Sequence, residues 1–247
     1  MKQDFVTHVI MTTIASNLQA VRAAIKKAAA CAGRSADDVS LLAVSKTFTE
    51  SAIRDAYRSG QTRFAESYVR EALDKIAALH DLPIEWHYIG PIQSNKTRAI
   101  AEHFAWVHSV DRLSIAERLS AQRPAQLPPL QVCLQVNISS EVSKSGASPD
   151  QLSALAHAIA KLPGLKLRGL MAIPAPVDDI AAQRQPFERL HELLNQLNRE
   201  GLQLDTLSMG MSQDFVAAIA EGATIVRIGS AIFGARDYSR SGLFKSP

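Results

Sequence analysis

One lysine of this sequence stands where a strand ends. Lys46 directly follows the apolar run 39–44, which is typical of a short buried strand. A lysine whose stem is fixed by a strand can have its amine withdrawn from water. Desolvation lowers the pKa of an amine, so that the neutral form can attack a carbonyl carbon. An isolated turn lysine is more often simply solvated, so a Schiff-base role for Lys46 needs a second group nearby.

Two later turns are rich in small and hydroxylic residues. They span 208–214 and 227–234, and they contain residues that allow close backbone approach or donate a hydroxyl: Gly210, Ser212, Gly229 and Ser230. Both turns lead into helical patterns, where backbone N–H groups at a helix N-terminus can face an anion. The two turns are therefore predicted to bind a phosphate group.

A carbonyl-trapping lysine and a phosphate cradle suit a single ligand, an aldehyde that carries a phosphate. Pyridoxal 5′-phosphate (PLP) is such a molecule. A cofactor-free aldolase acting on a sugar phosphate would use the same two groups, so the residues alone leave both possibilities open.

The secondary-structure elements around these groups must position them, and strand-like and helical segments alternate along the chain. Apolar β-rich runs occur eight times, with helical patterns between them: 39–44, 62–65, 85–89, 106–110, 130–136, 167–172, 204–208 and 224–228. This period predicts a (β/α)₈ TIM barrel, a fold of about 250 residues whose active face is the carboxyl end of the strands. A doubly wound sheet would normally have a glycine-rich turn after its first strand, and 44–47 has none.

The first helical pattern comes before any strand. It places apolar residues on one face and ends near Gly33, so we expect an extra N-terminal helix packed on the barrel: Ile14, Leu18, Val21 and Ile25. The chain 1–247 has no linker or low-complexity tract and is predicted to be one domain. Residues 1–10 precede a second methionine and are expected to be a loosely packed extension.

Composition excludes several classes of protein. A net charge of +3, without a cluster of basic residues, argues against nucleic-acid binding. No run of 18 apolar residues is present, so no membrane span is predicted. Cys31 and Cys133 lack the spacing of a metal site, and both are expected to be reduced core thiols of a cytoplasmic protein.

Several segments, taken in order, resemble the pyridoxal phosphate homeostasis protein family, which is related to the N-terminal barrel of alanine racemase. The resemblance covers about 13–238 and is carried by the segments 42–47, 86–96, 136–138, 143–146, 169–174, 207–212 and 226–236. It implies a TIM barrel that binds PLP and acts in the homeostasis or delivery of this cofactor inside the cell.

The resemblance also implies roles for single residues. Lys46 would carry PLP as a Schiff base, and Arg227 would face the pyridine nitrogen. The phosphate would be held by three residues of the turns: Ser212, Gly229 and Ser230. Ser208 and Met211, in the segment 207–212, are expected to be further cofactor contacts.

One departure from the family pattern concerns the second strand. The family has Gly-Glu-Asn there, with the asparagine near the cofactor, whereas this chain has Ala65-Glu66-Ser67. Ser67 is expected to take that place, with a bridging water in the room left by its shorter side chain. On the third strand, Trp86 and His87 alternate, so only one of them can point into the barrel, and His87 is expected to be a core histidine.

The sequence favours a carrier over an enzyme. Alanine racemases have a further β domain that supplies an opposing base, and only Lys46 is a firm candidate base here. An arginine at the pyridine nitrogen donates hydrogen bonds without accepting any, which makes the ring a weak electron sink. A monomeric PLP carrier, with PLP-dependent apo-enzymes as partners, is therefore expected. A PLP-dependent racemase or lyase is the alternative.

Overall fold

In the computed structural model, which describes residues 13–139, 145–177 and 179–235, eight parallel strands close into a barrel in chain order. The strands are β1 (Ser40–Val44), β2 (Arg63–Glu66), β3 (Glu85–Tyr88), β4 (Trp106–Val110), β5 (Leu130–Gln135), β6 (Leu165–Met171), β7 (Thr206–Ser208) and β8 (Ile225–Ile228). The predicted (β/α)₈ barrel is confirmed. The predicted extension 1–10 lies outside the described residues.

Helices cover the outside of the barrel. In the described residues they are α1 (Ile14–Cys31), α2 (Glu50–Arg58), α3 (Val69–Ala78), α4 (Thr97–His103), α5 (Leu113–Gln122), α6 (Leu152–Ala160), α7 (Ile180–Arg199), α8 (Phe215–Ala220) and α9 (Ser230–Phe233). None of them is both long and apolar enough to cross a bilayer.

Helix α1 is the expected extra helix. Thr13 caps it by accepting a hydrogen bond at Oγ1 from the Ser16 N–H, at 3.1 Å. The predicted apolar face is buried, with Leu18 and Ile25 almost without solvent exposure. The Asn17 amide donates to the carbonyl of Ile232 at 2.9 Å, so α1 is fastened to α9 beside the predicted phosphate turn.

Strand β7 is shorter than predicted, for a local reason. Leu204 was expected to open it, but both of its backbone groups bond to the Asn198 side chain of α7, at 2.7 and 2.9 Å. The ladder therefore begins at Thr206. In contrast, β6 begins at Leu165, two residues before the predicted start.

Most of the apolar core lies between the barrel and its helices, and the barrel interior is more polar. Apolar clusters fill only part of that interior, one of them around Leu42 and Val44 and another around Trp106 and Cys133. The expectation for the cysteines is half right. Cys133 is buried, but Cys31 is exposed, because it is the last residue of α1 and faces away from the barrel.

Candidate functional site at the carboxyl end of the barrel

The predicted lysine lies in a tight turn directly after β1. The Phe48 N–H donates to the carbonyl of Ser45 at 3.0 Å, which closes a four-residue turn with Lys46 as its first central residue. The second central residue, Thr47, has a φ of +69°, in the left-handed region that favours glycine. A β-branched residue there is strained, and such strain is found mainly at functional sites.

Ser67 lies beside this turn. The register pairs Val44 with Ala65, and the parallel ladder continues from there toward Lys46 and Ser67. Ser67 is buried, and its carbonyl accepts a hydrogen bond from the Tyr88 hydroxyl at 3.2 Å. A Cβ at Gly90 would lie 2.1 Å from the same carbonyl oxygen, so only glycine allows the chain after β3 to approach so closely.

The turn after β7 is built around Gly210. Its φ is +89°, and its carbonyl accepts from the Arg227 N–H at 2.9 Å, which joins this turn to β8. Met211 and Ser212 are half-buried and line a cavity of about 560 Å³, together with Ser230 from the next turn. The two predicted phosphate turns therefore share one opening.

The turn after β8 meets the lysine turn. Gly229 is the N-cap residue of α9, and no side chain of the described residues caps this helix, so its first N–H groups are available to a ligand. The rings of Phe48 and Phe233 stack with their centroids 4.9 Å apart. This contact fixes the loop that follows Lys46 against α9, at the seam between β1 and β8.

Arg227 is buried in the barrel below this seam. Its Nη1 donates to Ser208 twice, to the carbonyl at 2.6 Å and to Oγ at 2.9 Å, and its Nη2 donates to the Ala172 carbonyl at 3.0 Å. A guanidinium has five N–H groups. Two of them, on Nε and Nη2, have no acceptor among the described residues. Burial lowers the pKa of Arg227 to about 10, so the group is still a cation at neutral pH.

A chain of hydrogen bonds, here called the histidine relay, runs from Arg227 through the barrel to its amino end. Ser208 Oγ lies 2.7 Å from His108 Nδ1, His108 Nε2 lies 2.9 Å from His87 Nδ1, and His87 Nε2 lies 2.9 Å from Glu85 Oε1. The arginine at one end can only donate, and an ionised carboxylate at the other can only accept. One arrangement then satisfies every atom, with both histidines neutral and protonated on Nε2.

The two histidines of the relay are held neutral by burial. Withdrawal from water lowers the pKa of His87, which the hydrogen bond to Glu85 only partly offsets. The pKa of His108 falls well below its usual value, mainly through burial and also through the nearby His87. The prediction of a core histidine at position 87 agrees with this geometry, and Trp86 points to the outer core.

A second polar network, here called the charged clamp, lies outside the barrel between β1, β2 and α3. Lys75 is buried, and its Nζ donates to the Ser45 carbonyl at 2.8 Å, to Glu66 Oε1 at 2.8 Å and to Glu71 Oε1 at 2.6 Å. The Ser45 hydroxyl also donates to Glu66 Oε1, at 2.7 Å. Glu71 Oε1 accepts from the Thr47 N–H at 2.6 Å. The clamp therefore bonds to the main chain on both sides of Lys46.

The predicted site residues separate into two groups. Those that follow the ends of β1, β2, β7 and β8 gather around the carboxyl mouth: Lys46, Ser67, Met211, Ser212, Gly229 and Ser230. Ser208 and Arg227 lie deeper. The Ser208 hydroxyl is bonded to both His108 and Arg227, and its direct contact with a cofactor stays a prediction.

Sequence reasoning missed His108 and Lys75. A signal for Lys75 was present, because a lysine stands in the apolar stripe of α3 that also contains Val69, Ala72 and Leu79. For His108, strand alternation indicated only that it shares a face with Trp106, and not which face of β4 is the inner one. Nothing in the sequence indicated its partners, which come from β3 and β7.

Comparison with known proteins identifies relatives. The family model described as alanine racemase, N-terminal domain, matches residues 16–237. A protein of Pseudomonas aeruginosa named pyridoxal phosphate homeostasis protein is 64% identical over 228 residues, which cover 92% of this chain and 98% of the relative. A protein of the same name from Escherichia coli is 53% identical, covering 93% of this chain and 100% of the relative.

Solved structures resemble this one as well. PipY of Synechococcus elongatus, determined with PLP bound, is 37% identical with a TM-score of 0.79, covering 90% of this chain and 100% of that chain. Alanine racemase of Corynebacterium glutamicum is 16% identical with a TM-score of 0.67, covering 88% of this chain and 62% of that chain. The second likeness is one of fold.

Proposed function

This chain belongs to the pyridoxal phosphate homeostasis protein family, and from that premise we propose that it holds PLP as a Schiff base on Lys46 and acts as a carrier of the cofactor. The observation that carries this proposal is the environment of Arg227. A buried guanidinium keeps two N–H groups without an acceptor among the described residues, below a mouth that contains a lysine and a serine- and glycine-rich cradle. A ring nitrogen is a suitable acceptor for such a donor.

Lys46 supplies the covalent link. Its amine would be the nucleophile toward the aldehyde group of PLP, with water as the leaving product. The residue has the same parity as Leu42 and Val44, which pack inside the barrel, so strand alternation favours an inward direction for its side chain.

The phosphate is assigned to the two adjoining turns. Ser212 and Ser230 offer hydroxyl donors, and the N–H groups at Gly229 and at the start of the uncapped α9 add backbone donors. Met211 lines the same cavity and is assigned to ring packing, since methionine fits irregular apolar gaps. Ser67, on the opposite side of Lys46, is assigned to the ring substituents.

The choice of a carrier over an enzyme rests on Arg227. When bound, the cofactor supplies an aldehyde and a ring that can accept electrons, and it accepts them best with a protonated nitrogen paired to a carboxylate. Arg227 can only donate, and the groups that it contacts are Ser208 and Ala172 rather than an acid. We propose a monomer that works in the cytoplasm and delivers PLP to apo-enzymes. The homeostasis names of its relatives support this assignment.

Borohydride reduction of the PLP-loaded protein tests the attachment site. Peptide mapping should find the pyridoxyl label on Lys46, and Lys46→Ala should remove it. A label on another lysine, such as Lys96, would overturn the assignment. Transfer of bound PLP to an apo-enzyme tests delivery. Exchange of the α-proton of amino acids in deuterated water at about 1 s⁻¹ or faster, the low end of ordinary turnover, would contradict the carrier assignment.

Pyridoxal without its phosphate tests the cradle. Hydrogen bonds to a charged group contribute roughly 1.5–3 kcal/mol each, so pyridoxal should bind at least about ten-fold more weakly than PLP. A Ser212→Ala/Ser230→Ala variant should reduce that difference. Equal affinity of the wild-type protein for the two compounds would remove the phosphate site from the proposal.

A further inference from the structure

We propose that Glu71 and Lys75 are positioning residues for Lys46, because they hold the peptide groups on either side of it and keep its strained turn in one conformation. This inference rests on the proposed function in taking Lys46 as the residue that binds PLP. Neither residue is expected to touch the cofactor, since both lie on α3, outside the barrel.

The turn needs an external restraint. Thr47 has a positive φ, which is unfavourable for a β-branched side chain, and the turn is closed by the bond from the Phe48 N–H to the Ser45 carbonyl. The Thr47 hydroxyl oxygen is buried and has no hydrogen-bond partner among the described residues, so the side chain does not compensate for the backbone strain. Without further contacts, rotation of the 46–47 peptide group would relieve the strain and move Lys46.

The charged clamp provides those contacts at the two places where they are required. Lys75 Nζ donates to the carbonyl of Ser45, and Glu71 Oε1 accepts from the N–H of Thr47. Both are charge-assisted hydrogen bonds, which are shorter and stronger than neutral ones. One turn of α3 separates Glu71 from Lys75, so a single rigid helix holds both ends of the lysine turn.

The composition of the clamp is what a buried lysine requires. Its ammonium group has three N–H donors, and all three are used. Two carboxylates balance its charge, and one of them, Glu66, is itself fully buried, and its Oε2 has no hydrogen-bond partner in the part of the chain that the structure describes. An apolar residue would fill the same space without the cost of removing charged groups from water. The presence of an ammonium group is therefore explained by the groups to which it donates: the Ser45 carbonyl and the two acids.

Two substitutions of Glu71 separate positioning from simple ion pairing. Glu71→Gln keeps an oxygen that can accept from the Thr47 N–H but loses the charge, whereas Glu71→Ala loses both. Glu71 is partly exposed, so both variants of the full chain should fold. Arg54→Gln is the matched control, since it removes an ion pair of the neighbouring α2 that does not contact the turn.

Two measurements are made at a temperature where all variants are folded. In the protein without cofactor, the pH dependence of Lys46 acetylation by acetic anhydride is followed by mass spectrometry, with Lys96 as an internal reference. Separately, the dissociation constant of PLP is measured from its absorbance. Circular dichroism confirms that each variant is folded.

Glu71→Ala should change the acetylation profile of Lys46 alone and weaken PLP binding about ten-fold, the effect of losing one charge-assisted bond. The dissociation constant of PLP for Glu71→Gln should stay within about three-fold of the wild-type value, and that for Arg54→Gln should equal the wild-type value. If Glu71→Ala leaves both the profile and the affinity unchanged, the positioning role is wrong even though PLP is bound at Lys46. If borohydride reduction of the PLP-loaded wild type leaves no pyridoxyl label on Lys46, the proposed function itself is wrong.

Discussion

The charged clamp and the histidine relay both support residues of the proposed PLP site, but they are built from different chemistry. The clamp joins one ammonium group to two carboxylates outside the barrel, next to Lys46. The relay joins neutral imidazoles and a hydroxyl inside the barrel, below Arg227. Each suits its task, because ion pairs fix a backbone in place, whereas a directed chain of neutral groups fixes tautomers and the orientation of one cation.

The two networks should respond to pH in opposite directions. Burial raises the pKa of Glu66 in the clamp, so ionising this carboxyl costs more in the native state than in the unfolded chain. Burial lowers the pKa values of His87 and His108 in the relay, so the native state favours their neutral forms. A falling pH therefore destabilises the native relay by protonating its histidines, and a rising pH destabilises the native clamp by ionising Glu66.

The largest expected difference between the two networks comes from replacing the residue at the centre of each. Lys75→Met leaves two acids without their cation and should lower the free energy of unfolding by about 3–5 kcal/mol. His108→Leu leaves the Ser208 hydroxyl without an acceptor and His87 Nδ1 without a donor, and should cost about 1–3 kcal/mol. Urea denaturation at pH 7 measures both.

A double variant sharpens this test. Adding Glu66→Leu to Lys75→Met should return part of the lost stability, because replacing a buried ion pair by apolar groups costs little. If the free energy of unfolding of Lys75→Met lay within about 1 kcal/mol of the wild-type value, the clamp would not be an ionic network.

The relay predicts a loss of stability on the acid side of neutrality. Histidines with a lowered native pKa contribute stability that is present above about pH 6.5 and is lost as the pH falls. The free energy of unfolding should fall by up to about 1.4 kcal/mol per pH unit for each histidine. His108→Leu should reduce the slope between pH 6.5 and 5.5, and His80→Asn, on the surface, should not. A flat wild-type profile would contradict the neutral relay.

Glu66 predicts a smaller effect of opposite sign. A carboxyl with a raised native pKa contributes stability that is present below its ordinary value and is lost as the pH rises through the native one. The glutamine of Glu66→Gln cannot ionise, so the free energy of unfolding of this variant should rise relative to that of the wild type as the pH rises. The change should be at most about 1.4 kcal/mol per pH unit. The comparison uses unfolding free energies at pH 5, 6 and 7. A constant difference between the two proteins would show that Glu66 does not titrate there.

The smallest effect concerns strain in the lysine turn. Thr47→Gly allows the observed positive φ and should raise the free energy of unfolding by about 1 kcal/mol or less, because the greater freedom of the unfolded chain offsets part of the gain. Thr47→Ala is the control, since alanine is also disfavoured at this φ. Equal stability of the glycine and alanine variants would mean that the turn is not strained.

Much of the fold could be predicted because its signals are local. Eight apolar runs separated by helical patterns indicated the barrel, and the end of each run located the mouth. Lys46, Gly229 and Ser230 were predicted as site residues because each lies within two residues of a strand end, whereas the role of Arg227 was implied by the family resemblance. The start of β7 was not found, since the side chain of Asn198 takes the backbone bonds of Leu204.

The sequence by itself therefore determined the architecture, and together with the family resemblance it supplied the residues proposed to meet PLP. Only the tertiary structure decided what holds them. His108 bonds to Ser208 across 100 positions, and Lys75 reaches back 30 positions to Ser45. Such pairs leave no periodic trace, because a hydrogen bond between distant residues depends on the closure of the barrel and on the packing of α3, and not on the order of neighbouring residues.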